Sequence, residues 1–216
     1  MNIKKSSQIA FIGSVILLLV SIVYLGFTVV GYQGSSAIFG FLPILEILFT
    51  LSYFLFFWTL FRNDFFKVNS LLMAIASLLR VVHFVLGLIA GLPIGTYLIQ
   101  NYAMFFDLFR IFAILAFYII LIVFLFRFMR WQVKHNKDRI VRNILLIIGT
   151  FIALGIEILW ILIMFNPEVT MRITATYQIF SMVLLISDIL GLIFPLFSCL
   201  FFYKFYLIVD DWNSMR

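Results

Sequence analysis

The stretch SLLRVVHF, residues 77–84, puts Arg80 and His83 inside a run that is otherwise largely apolar from Val68 to Ala90. At about 1.5 Å per residue, a helix over that run crosses the ~30 Å hydrocarbon core of a bilayer. An arginine at the centre of a bilayer costs at least about 2.5 kcal/mol, so Arg80 is expected to face the protein interior and to be paired there. Its partners must come from elsewhere in the chain. Glu46, Asp107, Glu157 and Asp188 lie in or at the ends of other apolar segments, and Arg110 is a second cation in the same situation.

The composition agrees with a membrane-spanning reading. Of 216 residues, 65% are hydrophobic and 11% charged, and the mean hydropathy is +1.21. A soluble domain carries about a quarter charged residues. Six stretches are long enough to span: 9–31, 38–61, 68–90, 104–129, 141–165 and 178–204. The fold class predicted is all-α, a polytopic six-helix transmembrane bundle forming one domain over 1–216, because no gap between spans could hold a second domain. The run from Ile9 is too long for the apolar region of a signal peptide and reads as a retained helix.

Charge placement sets the expected orientation. Lys4, Lys5, Arg62, Lys67, Arg127, Arg130, Lys134, Lys137, Arg139, Arg142, Lys204 and Arg216 fall on one side, against Arg172 on the other. Positively charged loops stay in the cytoplasm, which places both termini inside and the loop 91–102 outside. The same placement accounts for the net charge of +6 without invoking nucleic acid as a partner. Aromatic and basic clusters at the inner helix ends, FFWTLFR (56–62), FLFRFMRW (124–131) and FFYKF (201–205), read as interfacial belts with snorkelling cations.

Several helices carry a polar stripe at helical spacing. Ser14, Ser21 and Thr28 repeat every seven residues and read as a packing seam. Glu46, Thr50 and Tyr53 share a face of the second helix, and Ser77, Arg80, His83 and Gly87 a face of the third. Asp107 and Arg110 are close enough to pair along the fourth. Thr150 and Glu157 repeat on the fifth, as do Ser181, Asp188 and Pro195 on the sixth. Pro195 has no N–H and clashes with the carbonyl of Gly191, so the sixth helix is expected to kink or open between Asp188 and Pro195. LEILF (45–49) resembles IEILW (156–160), but both glutamates lie about 12 Å below the outer end of their helices, which rules out an inverted repeat.

By the same rise, Glu46, His83, Glu157 and Asp188 lie about 10–14 Å below the outer surface, with Arg80 near the middle and Arg110 nearer the mouth. Groups on different helices at one level converge only in the bundle interior. The predicted site is therefore an outer-half pocket of Glu46, Arg80, His83, Arg110, Glu157 and Asp188. Four carboxylates against two arginines leave excess negative charge, so either some acids hold a proton or a cation binds. Metal ligation has little support, since HExxH, CxxC and paired-histidine spacings are absent. A nucleophile elbow is absent too, and with Cys199 the single cysteine and His135 in a basic loop, no thiol pair and no bis-histidine haem is expected. No catalytic residue and no cofactor are assigned. The reading is a carrier or transport-complex subunit that binds a small polar or charged solute, an ion or protons. The alternative is a structural or sensory membrane subunit, and the third reading a membrane-embedded enzyme. Expected partners are the lipid bilayer, the solute, and a membrane-complex partner or a second copy.

Overall fold

A computed structural model of the chain describes residues 2–30, 36–90, 93–134, 140–166 and 177–213. Among the described residues there are seven helices and no strand: α1 (Ile3–Val30), α2 (Ser36–Arg62), α3 (Lys67–Ala90), α4 (Pro93–Lys134), α5 (Ile140–Phe165), α6 (Tyr177–Gly191) and α7 (Ile193–Asn213). With α6 and α7 joined end to end, they make six rods long and apolar enough to cross a membrane. α1 packs on α2, α2 on α3, α3 on α4 and α4 on α5; α5 packs on α6 and α7, and both of these return to α1. The rods thus close a ring in chain order. The connections are too short to carry the chain back along a rod, so neighbours run antiparallel. Ile3, Arg62, Lys67, Lys134, Ile140 and Asn213 gather at one end, the basic end, and the opposite end is the far end.

The ring's polarity pattern is the inverse of a soluble bundle. Along α3, Val68, Leu72, Ile75, Leu78, Val82, Val85 and Ile89 recur at helical spacing and are exposed, while Asn69, Ser70, Ser77 and Arg80 are buried. Ser6, Ser7 and Ser14 of α1, Thr50, Ser52 and Thr59 of α2 and Thr150 of α5 are buried as well. Many of these hydroxyls donate to a carbonyl one turn back, as Ser14 does to Ala10 (2.8 Å) and Thr150 to Leu146 (2.6 Å). That bond lets a small polar residue sit at a helix contact with its hydrogen satisfied.

Helix ends depart most from the sequence expectation in three places. α1 starts six residues early because Asn2 caps it, its side-chain oxygen accepting from the Lys4 amide at 2.6 Å. α4 starts at Pro93 rather than 104, so most of the expected loop 91–102 is helical; proline suits the first position of a helix. α4 then runs for 42 residues, about 63 Å at the helical rise, twice the thickness of a hydrocarbon core. α7 continues to Asn213 instead of ending near 204. The expected opening of the last rod is observed: it breaks at Leu192, whose amide is shared between the carbonyls of Asp188 and Ile189, both at 3.3 Å. The expected outer loop with Arg172, the basic loop with His135, Lys137 and Arg139, and Arg216 lie outside the described residues.

Toward the basic end the ring is filled with aromatic side chains. Phe57 stands 5.0 Å from Phe124, Phe56 4.9 Å from Phe202 and 5.1 Å from Phe205, and Phe128 5.5 Å from Phe205, mostly edge to face. These rings come from the three motifs read as interfacial belts. The belt reading fits Trp58, Phe126 and Tyr203, which are exposed, and fails for Phe56, Phe57, Phe124, Phe128, Phe201, Phe202 and Phe205, which are buried; Phe61 and Trp131 are half-buried. A phenylalanine facing lipid gains little over one packed edge to face with its neighbours. The tight α2–α3 turn adds Phe65 to the cluster, with Asp64 and Phe66 at positive φ of 54° and 46°. Asp64 tolerates that region and pairs with Lys67 at 2.9 Å. Phe66 is strained there and is held by ring contacts with Phe65, Phe124 and Phe128.

Candidate functional site

Each of the six rods sends at least one polar or charged group to a set in the far half of the ring. Glu46 of α2 lies within electrostatic reach of Arg80 of α3, Arg110 of α4 and Glu157 of α5. Arg80 is in reach of Glu157, Glu46 and Tyr118, and His83 of Arg110 and Arg80. Tyr24 of α1 stands near Glu46 and Asp188, and Thr28 of the same helix donates to the Asp188 carboxylate of α6 at 2.5 Å. All six residues expected from the sequence therefore belong to one electrostatically connected set. Glu46, His83, Glu157 and Asp188 are half-buried, Arg80 is buried and Arg110 is exposed at the rim.

Arg80 sits deepest and is only 7% exposed. Its guanidinium carbon lies 4.7 Å from the centre of the Phe117 ring, 5.0 Å from Tyr118 and 5.6 Å from Phe84. The Tyr118 hydroxyl lies near it and favours its charged form. No carboxylate hydrogen-bonds to it among the described residues; Glu157 and Glu46 act on it through space. The direct ion pair expected from the sequence is thus replaced by a cage of aromatic faces, whose negative quadrupoles hold the cation with no acid in contact. Nε and Nη1 carry three N–H bonds, and neither atom has an acceptor among the described residues. Ser77 Oγ, one turn nearer the basic end, also lacks a partner.

Beyond the cage, toward the aromatic filling, Phe117 also meets Tyr53 at 5.8 Å. The Tyr53 hydroxyl and Ser198 Oγ are buried near each other with no hydrogen bond made. The connected polar set thus extends to mid-ring, where the phenylalanines begin; the buried polar groups nearer the basic end, such as Asn69, Gln132 and Asn143, are separate from it. At the rim, Asp107, Arg110, Glu157 and Trp160 line a cleft between α4 and α5 with Ile111, Ile114 and Ile161. Its free space is about 20 Å³, enough for a water. Among the described residues no three of His, Cys, Asp and Glu come together as metal ligands.

Sequence reasoning missed Tyr24 and Tyr118 and assigned Thr28 to packing alone. The signal was present in the spacing. Tyr118 is two turns from Arg110 on one face of α4, and Tyr24 is one turn before Thr28. A buried phenol needs a partner for its hydroxyl, so a tyrosine deep in an apolar helix marks a polar interior. The sequence also gave no hint of the polar pairs toward the basic end, where Arg127 donates to Asn69 at 2.9 Å in a part-buried contact and Asn143 to Gln132 in a buried one.

Compared with family profiles, curated proteins and solved structures, the chain matches none.

Proposed function

We propose that the chain is a multi-pass membrane protein with both termini in the cytoplasm, acting as a carrier or transport-complex subunit that takes a small polar or charged solute into the far half of the ring. The exposed apolar outer wall supports membrane insertion, and the gathering of lysine and arginine at the basic end supports the orientation. In this reading the far end opens outward. The observation that carries it is Arg80, a cation shut into the ring with N–H donors open and no acid bonded to it. A group held only to fix helix register would be fully bonded, because unmet buried donors cost free energy. Arg80 and Arg110 attract anionic groups, Glu46, Glu157 and Asp188 attract cationic groups or protons, and His83 adjusts the balance between them. The connected polar set ends at the phenylalanines, which in this reading bar the way to the basic end as a closed gate does.

Thermal unfolding of the purified protein against a panel of small charged solutes and inorganic ions tests this. At least one compound should raise the unfolding temperature of the wild type and leave a folded Arg80→Met variant unchanged. A panel without effect on either protein contradicts a binding role and favours a structural or sensory subunit.

A further inference from the structure

Resting on that reading, we infer that the solute is a small zwitterion whose oxyanion docks on Arg80 and whose ammonium faces Asp188. Two independent features on opposite walls lead here. On one wall, the Arg80 guanidinium is buried with Nε and Nη1 unfilled, and Ser77 Oγ beside it is unfilled as well. Three aromatic rings stand within 5.6 Å of its central carbon, and none of them offers Nε or Nη1 an acceptor. Guanidinium edges match the oxygens of a carboxylate or phosphate, and such charged bonds are strong in a water-poor site.

The other wall is α6. α3 packs on α2 and α4, and α6 on α1 and α5, so the two stand across the ring from each other. Asp188 lies in the last turn of α6, and its neighbours are Thr28 and Tyr24 of α1, whereas Glu46 and Glu157 are the acids within reach of Arg80. The helix stops there because Pro195 offers no N–H to the Gly191 carbonyl. The negative end of the α6 dipole therefore adds to the Asp188 carboxylate and favours a cation. Interrupted helix ends serve ion binding in this way inside membrane bundles. Opposite rods of a six-membered ring stand about 16–20 Å apart when neighbours are 8–10 Å apart. With an arginine and an aspartate reaching inward, the remaining gap suits a solute whose opposite charges are a few bonds apart. Such a solute leaves the net charge of the site unchanged and meets unlike charge at each end.

Free amino acids and the headgroup of phosphatidylethanolamine share this chemistry. The test measures equilibrium binding by calorimetry and thermal unfolding, using the common α-amino acids with acetate and methylammonium as half-ligands. A parallel arm places the protein in nanodiscs of phosphatidylcholine with or without phosphatidylethanolamine. The inference expects one free zwitterion, or phosphatidylethanolamine, to bind at least about tenfold more tightly than either half-ligand. That binding should weaken about tenfold or more in Arg80→Gln and in Asp188→Asn, while Arg62→Gln at the basic end leaves it unchanged. Should a variant fail to fold, the comparison with the half-ligands decides by itself. Binding of acetate alone, methylammonium alone or an inorganic ion as tightly as any zwitterion overturns the inference and leaves the broader solute-binding reading standing. If no probe binds in either arm, both fall.

Discussion

The two halves of the ring are built by the same six rods and packed in opposite ways. Two buried glycines show how closely the rods approach from the basic end to mid-ring. A Cβ on Gly13 of α1 would fall 2.0 Å from Ser52 Oγ and 2.7 Å from Ser52 Cβ, and one on Gly149 of α5 would fall 3.0 Å from a Phe197 ring carbon. Gly26 of α1 and Gly155 of α5 are exposed on the outer wall, where a Cβ would meet nothing within 4 Å. Phenylalanines fill the centre of the first half to closure, while the second holds half-buried acids, a histidine and a caged arginine. Close packing defines one conformation and excludes water, whereas polar walls with unmet donors offer bonds to something else.

The largest expected effect comes from breaking the filled half. Phe128 is buried among Phe65, Phe124, Trp131, Phe201 and Phe205. Phe128→Ala should lower stability by about 2–4 kcal/mol, toward the low end of soluble-protein values because lipid is as apolar as the core. Denaturant unfolding in mixed micelles measures it, and a change below about 1 kcal/mol would mean the cluster collapses freely onto the space.

Next come the glycines themselves. Gly13→Ala should cost about 1–3 kcal/mol by forcing α1 away from α2, whereas Gly26→Ala should be neutral or stabilising by up to about 1 kcal/mol through helix propensity. Gly26 lies on the exposed wall and serves as the control; equal effects in the same unfolding assay would mean that α1 and α2 are not closely packed at Gly13.

Arg80→Met carries a smaller effect on stability and a decisive one on binding. Met fills the aromatic cage and removes unmet donors, so stability should change by less than about 1 kcal/mol while solute binding is lost. A loss of about 3–5 kcal/mol would instead reveal a buried charge left without its partner. The smallest effect belongs to Thr28→Val. It removes one hydrogen bond to a half-buried carboxylate and should lower stability by about 1 kcal/mol or less, while weakening binding at the Asp188 wall in a calorimetric titration.

The far half was the more legible from sequence. A charge inside an apolar helix is conspicuous because it is costly, and helical rise alone gave the common depth of Glu46, His83, Glu157 and Asp188. Pro195 likewise announced the break at Leu192. What holds Arg80 was not legible, since a sequence that offers four acids gives no sign that Phe84, Phe117 and Tyr118 stand nearer. The filled half was misread for a related reason: a phenylalanine near a basic helix end suits a lipid interface and a bundle centre equally. In FFYKF, Phe201, Phe202 and Phe205 turn inward and Tyr203 outward, and only the packing of α7 against α1 and α5 decides which is which. The start of α4 at Pro93 escaped notice because its first turns mix polar and apolar residues with no clear period.

The central proposal, a polar far half that faces outward above an aromatic closure, can be tested directly by cysteine accessibility. In a Cys199→Ala background, single cysteines at Thr28 and at Ile161 of the rim cleft probe the open half, and cysteines at Phe57 and Leu125 probe the closed one. A membrane-impermeant thiol reagent added outside intact cells should label the first pair and leave the second unlabelled from either side. Labelling of Phe57→Cys at a rate comparable to Thr28→Cys, or labelling of Thr28→Cys from the cytoplasmic side alone, would contradict the account.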